Sequence, residues 1–296
     1  MKRIQLHAYA KINLTLDVTG KRPNGYHDVE MIMQQISLCD EVTVSWEAGS
    51  VGRGKPGQTA EPDPTGIQIQ LTVSRPDLPA DSSNLAWKAA EEMIAEFGGP
   101  ADGSSKAAAD TDAAGGVLTI DIQKQIPMAA GLAGGSSNCA AVLHAINQLW
   151  ELNLSVKELC RIGARLGSDV PFCIMGQAAA EKALQGSFAD DPDACHCALA
   201  TGTGTDLKPL TGLDSFIVLS KPAIGVSTAE VYRGIDNEGI PRHPDNNAVI
   251  SAIFENNYKV LEEKMVNVLE NFALKRYPII VYTKNIMSDL CQSAGI

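Results

Sequence analysis

Positive charge and long apolar runs are both scarce in this sequence. Its 24 Lys and Arg residues are outnumbered by 35 Asp and Glu residues, which gives a formal net charge of −11. Nucleic acids and anionic membranes attract clustered Lys and Arg, so we expect neither as a partner. No apolar run approaches the roughly 20 residues that are needed to cross a bilayer. The N-terminal stretch lacks the apolar core and the cleavage site of a signal peptide.

Cysteine is present without the pattern of a disulfide framework. The seven Cys residues are odd in number and scattered along the chain, whereas disulfide-rich secreted domains carry paired cysteines. We therefore expect free thiols and a reducing, cytoplasmic environment. The stretch Cys195-His196-Cys197 is not expected to bind a metal, because adjacent residues of a regular backbone cannot all reach one ion.

The remaining sequence is typical of a globular chain with mixed secondary structure. Its 296 residues, 45% of them hydrophobic, allow one large domain or two ordinary ones. The predicted strands and helices do not alternate regularly, which favours an α+β fold over a doubly wound sheet. Two short apolar runs, at 170–175 and 216–220, are predicted as strands, and the stretches at 48–66 and 99–116 are predicted as loops.

A glycine-rich segment stands in front of one predicted helix. The sequence IPMAAGLAGGSSN at 126–138 follows a predicted strand and contains Gly131, Gly134 and Gly135. The first N–H groups of a helix lack partners within it, and the helix dipole leaves positive charge there. Glycines let an anion approach that backbone, and the hydroxyls of Ser136 and Ser137 can bond phosphate or magnesium. We therefore predict a phosphate-binding loop; a tight turn with a cap is the alternative.

A second phosphate-loop pattern is rejected. Residues 49–55 fit the start of a Walker A motif, but Pro56 stands where Ser or Thr is required, and further Gly and Pro residues interrupt any helix after it. Lys55 is expected to be a solvated loop charge.

Three segments together resemble a known kinase superfamily. The sequences AYAKINLTLDVTGKRPNGYHD, IPMAAGLAGGSSN and LGSDVPF occur in the order and spacing of the GHMP kinases. Within that superfamily, the segment that contains Tyr26-His27 resembles one branch in particular. Enzymes of that branch phosphorylate the 2-hydroxyl of a cytidine diphosphate ester of methylerythritol, in non-mevalonate isoprenoid biosynthesis. The resemblance implies a two-domain fold: a ribosomal S5 domain 2-like ATP-binding domain at 1–176 and a ferredoxin-like substrate domain at 177–296.

Phosphoryl transfer from ATP to an alcohol needs a phosphate cradle, charge neutralisation and an acceptor for the hydroxyl proton. Lys11, on the polar face of its predicted strand, can supply positive charge, and Mg²⁺ bound to ATP would share that task. Asp169, in a Gly-Ser-Asp-Val-Pro turn, is the candidate proton acceptor, kept ionised by a nearby ammonium. The resemblance implies the same catalytic pair. The alternatives are a strand-end lysine and an aspartate that only caps a turn or helix.

The other predicted site residues divide between the nucleotide and the alcohol substrate. By resemblance, Tyr26 and Tyr232 stack on the cytosine and His27 offers ring and backbone polar groups, while Asn13 orients the erythritol hydroxyls. Asn84 opens a helix, either as its cap alone or also as a contact to adenine. Each could instead be an ordinary turn or packing residue. The expected ATP contacts are Pro127, Ala129, Ala130, Gly131, Leu132, Ala133, Gly134, Gly135, Ser136, Ser137 and Asn84.

Two features depart from the GHMP pattern. About 18 extra residues, at 180–197, interrupt it; a surface loop would absorb them at small entropic cost, whereas inside a hairpin they would disturb the pairing of the strands. The resemblance also implies a third glycine-rich turn near the C-terminus, and the chain stops at CQSAGI, where that stretch would begin. We therefore expect an incomplete second domain, an unpaired sheet edge and reduced or absent activity.

Two other functions stay open at this point. One is a different GHMP kinase, of homoserine or mevalonate type, whose substrates carry no base to stack. The other is a non-catalytic nucleotide-binding remnant. We expect a monomer or a weak homodimer.

Overall fold

The computed structural model describes residues 1–49, 66–100 and 115–294, and strands and helices are mixed in it as the α+β class predicts. The strands are β1 (Lys2–Lys21), β2 (His27–Ala48), β3 (Ile67–Val73), β4 (Gly116–Gln123), β5 (Cys197–Thr201) and β6 (Asp206–Leu210). The helices are α1 (Leu85–Phe97), α2 (Gly134–Leu149), α3 (Val156–Leu166), α4 (Val170–Ala180), α5 (Gln185–Phe188), α6 (Thr228–Glu238), α7 (Asn246–Phe254), α8 (Tyr258–Lys264), α9 (Glu270–Arg276) and α10 (Pro278–Ala294).

A sheet of six strands is built around the long strand β2. The order is β3-β4-β2-β5-β6, and β1 also pairs with β2. Residues 31–34 of β2 pair with β5 and residues 41–48 pair with β4, all antiparallel, whereas β3 and β4 run parallel. Strands β5 and β6 lie beyond the predicted domain boundary at residue 176, yet they continue this sheet. The boundary at residue 176 remains a prediction.

The main hydrophobic core contains residues of this sheet and of helices α1 to α4. Alternate strand residues such as Leu6, Val42 and Ile120 are fully buried, because successive side chains of a strand point to opposite faces. Helix α2 is buried from Ser137 almost to its end. Burying each large apolar side chain stabilises the fold by roughly 1.5–3 kcal/mol. Because the glycine-rich loop leads directly into α2, it is attached to a well-packed, rigid helix.

Helix ends follow the signals that the sequence carries. Helix α1 begins after Asn84, whose side-chain oxygen accepts a hydrogen bond from the N–H of Ala86, and it ends at Gly98, which has a φ of 70°. Helix α3 begins with the predicted capping box, in which Ser155 and Glu158 each satisfy the other's backbone N–H. No helix of the described ranges is long and apolar enough to cross a membrane.

Two predicted strands are wrong. Residues 170–175 belong to α4, which is buried on all sides over most of its length, so its sequence lacks the one-sided pattern of a surface helix. Residues 216–220 lie outside regular secondary structure and pair with no described strand, with Phe216 and Val218 exposed. Together with α10 they border an apolar groove of about 680 Å³. Most of the two predicted loops, and Lys55, lie outside the described residues.

The segment at 180–197 is packed into the protein. Leu184, Phe188 and Cys195 are buried in the main core. The N–H of Cys195 donates to the carbonyl of Met175, and the carboxylate of Asp191 accepts a hydrogen bond from the first residue of α3. This segment is therefore not a loose surface loop: the buried apolar side chains at 184 and 188 anchor the short helix α5.

Candidate active site

The loop between β4 and α2 has an unusual backbone. Ala129, Gly131 and Ala133 have positive φ angles of 49°, 72° and 56°. For alanine this left-handed region costs roughly 1–2 kcal/mol per residue, and such strain concentrates at ligand-binding sites. Turns of this kind aim successive N–H groups into a concavity that binds anions.

The start of α2 is open to that concavity. Its first residue is Gly134, no side chain caps it, and its first turn contains no acidic residue. The unpaired N–H groups and the positive end of the helix dipole are therefore available to an anion. A Cβ on Gly134 would lie 3.1 Å from Ile126 and 3.2 Å from Lys124 Nζ, so glycine allows the loop to pack closely there.

The two serines of the motif differ in their surroundings. Ser137 is fully buried; its hydroxyl donates to the carbonyl of Tyr9 at 2.5 Å, and Gln177 donates to its carbonyl. The predicted phosphate contact of the Ser137 hydroxyl is therefore corrected, because this residue lies on the inner face of α2. Ser136 is half-buried and does not line the cavity described below.

Lys11 and Asp169 meet beside the loop. The backbone N–H of Lys11 donates to the carbonyl of Leu132 at 3.1 Å, which ties β1 directly to the loop. Lys11 Nζ lies 3.5 Å from Asp169 Oδ2 and donates to Asn13 Oδ1 at 3.2 Å. The Lys11 side chain is only 6% exposed, so it is not a solvated strand-end lysine. Asp169 stands directly before α4 but makes no capping hydrogen bond, so the end of the helix does not occupy its carboxylate.

A single cavity of about 840 Å³ joins these groups. It is lined by every loop residue from Pro127 to Gly135, which includes Ala129, Ala130, Gly131, Leu132, Ala133 and Gly134, and by Lys11, Asn13, Asn84, Asp169 and Tyr232. Asn84 both caps α1 and borders the cavity, with its amide donating to the carbonyl of Pro79 at 2.8 Å. The 13 predicted site residues other than Ser136, Ser137, Tyr26 and His27 therefore all line this one cavity.

The two tyrosines that were predicted to stack on the cytosine, Tyr26 and Tyr232, have different surroundings. Tyr26 is 67% exposed on the turn between β1 and β2. His27 stacks on Tyr232 with ring centroids 5.0 Å apart and an interplanar angle of 25°. Burial, with a smaller contribution from the charge of Asp169, raises the pKa of Tyr232 to about 12. The structure therefore brings His27 and Tyr232 together and leaves Tyr26 on the outside.

A buried ionic cluster beneath the loop was not predicted. Asp40 is 0% exposed; its Oδ1 accepts hydrogen bonds from the N–H groups of Gln125 at 2.7 Å and Ile126 at 2.8 Å. Its Oδ2 accepts from Lys124 Nζ and from Asn138 Nδ2. The cluster joins β2, the end of β4 and the first turn of α2. Lys124, directly before the glycine-rich motif, is the one signal in the sequence that points to it.

The chain is similar to known proteins over nearly its whole length. Residues 84–177 match the model of the GHMP kinases N terminal domain. The 4-diphosphocytidyl-2-C-methyl-D-erythritol kinase of Alkaliphilus metalliredigens is 40% identical over 290 residues, which cover 98% of this chain and 82% of that protein. The chain belongs to the 4-diphosphocytidyl-2-C-methyl-D-erythritol kinase family. The resemblance seen in the sequence motifs is thereby confirmed.

Other members and structures agree with this assignment to the 4-diphosphocytidyl-2-C-methyl-D-erythritol kinase family. The kinase of that name from Geobacillus thermodenitrificans is 38% identical over 286 residues, covering 96% of this chain and 81% of that protein. A crystal structure of 4-(cytidine 5'-diphospho)-2C-methyl-D-erythritol kinase superposes with a TM-score of 0.63 at 27% identity, covering 97% of this chain and 83% of that one. Homoserine kinase from Cytophaga hutchinsonii, at 14% identity and a TM-score of 0.51, shares the fold, with 92% of this chain and 74% of that one covered.

Proposed function

We propose that this chain transfers the γ-phosphoryl group of ATP to the 2-hydroxyl of 4-diphosphocytidyl-2-C-methyl-D-erythritol, in non-mevalonate isoprenoid precursor biosynthesis. The observation that carries the proposal is the pair of Lys11 and Asp169, whose side chains lie 3.5 Å apart at the edge of the glycine-rich loop. The relatives that share nearly the whole chain are kinases of that name. The homoserine and mevalonate alternatives rest on shared fold alone.

The loop would hold the triphosphate through its backbone. The N–H groups at the start of α2 and the left-handed turns at 129–133 offer donors without a competing side-chain cap. The net charge of −11 repels an anionic nucleotide at long range, so attraction has to be local. Preorganised backbone dipoles supply it, since they need no reorganisation when charge develops on the transferring group.

Lys11 and Asp169 would act on the reacting groups. Asp169 accepts the proton of the attacking hydroxyl, and general-base catalysis of this kind contributes typically 10²–10⁴-fold to a rate. The ammonium of Lys11 stabilises charge on the phosphoryl oxygens. Mg²⁺ takes most of its ligands from substrate phosphates and water, and when bound to ATP it would neutralise further phosphate charge.

The other end of the cavity would receive the cytidine ester. Asn13 gives its side-chain oxygen to Lys11, so its amide N–H groups remain to donate to the erythritol hydroxyls. Tyr232 lines the same cavity, and with Tyr26 and His27 it provides aromatic surface for the cytosine. Stacking of a base on an aromatic side chain is worth roughly 1–3 kcal/mol.

A kinase assay tests this function. The chain is incubated with Mg²⁺, ATP and either the cytidine ester, homoserine or mevalonate, and ADP release and the phosphorylated product are measured. We expect transfer to the cytidine ester alone, and in Asp169→Asn we expect transfer to fall at least 10²-fold while nucleotide affinity is retained. Transfer to homoserine or mevalonate would favour the other kinase type, and nucleotide binding without any transfer would favour the non-catalytic alternative.

We further propose a cytoplasmic location and a monomer or weak homodimer. The seven cysteines are all free thiols, which suits a reducing compartment. Sedimentation of the purified chain at several concentrations tests the oligomeric state, and a stable larger assembly would contradict it.

A further inference from the structure

Three charged or titratable side chains join the β1–β2 hairpin to α6. Lys21 and His27 are opposite each other across the hairpin, and Asp236 faces both from α6. The Asp236 carboxylate lies 2.7 Å from His27 Nε2 through Oδ1 and 2.6 Å from Lys21 Nζ through Oδ2. The His27 side chain is 9% exposed, so its neighbours cover most of the ring.

The same helix also contacts the face of the His27 ring. Tyr232 precedes Asp236 by four residues, and residues so spaced share one face of a helix. Tyr232 stacks on the ring of His27 while Asp236 binds its edge. The stacking contact fixes the orientation of the ring plane, and the carboxylate contact fixes the direction in which Nε2 points within that plane.

The carboxylate contact selects one tautomer of His27. A carboxylate only accepts hydrogen bonds, so in a neutral imidazole the proton must reside on Nε2, and Nδ1 then carries a lone pair. Among the described residues Nδ1 has no hydrogen-bond partner. We propose that Asp236 is a positioning residue that holds His27 as the Nε2–H tautomer, so that Nδ1 accepts a hydrogen bond from the 4-amino group of cytosine. This inference rests on the proposed function.

Lys21 makes this arrangement compatible with a neutral ring. The hydrogen bond from Lys21, and then that from His27, lowers the pKa of Asp236 and keeps it a carboxylate. Because the Lys21 ammonium balances the carboxylate charge, the cluster is neutral overall when the imidazole is uncharged. A uracil base carries an oxygen acceptor in place of the 4-amino group, and two facing acceptors repel, so the tautomer discriminates between the two pyrimidines.

The first test needs no substrate. The ¹⁵N chemical shifts of His27 are recorded at pH 8, where imidazoles are mostly neutral, in the wild type and in Asp236→Ala. We expect the Nε2–H form to predominate in the wild type and a mixture of both tautomers in the variant. A wild-type ring that is mainly Nδ1–H would overturn the inference, whether or not the chain phosphorylates anything.

The second test measures base selection. Values of kcat/KM are compared for the cytidine ester and its uridine analogue in the wild type, in Asp236→Ala and in the control Glu238→Gln. Glu238 lies on the same helix and pairs with Lys275 on the surface. We expect Asp236→Ala to reduce the cytosine preference about tenfold, the upper range for one hydrogen bond, mainly through KM for the ester and with KM for ATP unchanged. An unchanged preference, equal to that of Glu238→Gln, would overturn the inference.

If the wild type transfers phosphate to neither substrate, the proposed function fails. The tautomer measurement still decides the role of Asp236 in that case.

Discussion

Asp40→Asn is the substitution whose effect the structure allows us to estimate most fully. The carboxylate of Asp40 is 0% exposed and receives four hydrogen bonds, from Lys124, Asn138 and the N–H groups of residues 125 and 126. An amide of the same shape can still accept from the two backbone groups. Its NH₂ group, however, would face two other donors, and the Lys124 ammonium, which is only 6% exposed, would lose its counter-ion.

The expected cost follows from that lost compensation. Breaking a buried ion pair by neutralising one partner destabilises a protein by about 3–5 kcal/mol, which is a large share of a typical total stability of about 5–15 kcal/mol. The double substitution Asp40→Asn with Lys124→Met removes the stranded charge, so it should recover part of the loss. Because residues 125 and 126 lead directly into the glycine-rich loop, KM for ATP should also rise in the single variant.

Urea unfolding at pH 7.5 and steady-state kinetics measure both effects. The matched control is Asp77→Asn, because Asp77 pairs with Arg75 on the surface with both side chains 48% exposed; it should cost at most about 1 kcal/mol. If Asp40→Asn costs no more than this control, or if removal of Lys124 makes it worse, the reasoning about the buried cluster is refuted.

Three further predictions concern the loop and the core. Lys11→Met should lower kcat by about 10²–10³-fold with little change in melting temperature, since Asp169 is 30% exposed and water can solvate it; unchanged kcat would contradict this. Gly134→Ala should raise KM for ATP about tenfold or more, because its Cβ crowds two neighbouring side chains, whereas Gly186→Ala, with nothing within 4 Å, should be silent. Burial lowers the pKa of His144 to about 4, so the unfolded chain takes up its proton first as the pH falls. Stability should drop by up to about 3 kcal/mol between pH 6.5 and 4, and His144→Asn should flatten that slope in urea unfolding.

Local signals in the sequence accounted for much of the fold and for the centre of the site. The cap at Asn84, the capping box at Ser155 and the glycine-rich loop are all recognisable because each depends on residues close together in sequence. Lys11 and Asp169 were predicted from chemistry and resemblance, and the structure brings them within 3.5 Å. Their catalytic roles stay predictions.

Features that depend on distant partners were missed. The apolar run at 170–175 is buried on all sides, and a short run of that kind does not distinguish a buried helix from a strand. The hydroxyl of Ser137 is turned inward by a carbonyl 128 residues away. Nothing in the sequence distinguishes Asp40 and Asp236 from the other acidic residues of their segments, and only the folded chain shows that they contact Lys124 and His27. No local pattern encodes such contacts.

The central claim is that backbone N–H groups at 131–136 hold the phosphates of ATP between Lys11 and Asp169; the N–H of Ser137 is already donated to the carbonyl of Ala133. A crystal structure of the chain with Mg²⁺ and a non-hydrolysable ATP analogue tests it most directly. We predict that the β- and γ-phosphates lie within hydrogen-bond distance of those N–H groups, with the γ-phosphate beside Lys11 Nζ. A triphosphate bound at another surface, or phosphates that contact this loop only through side chains, would contradict the account.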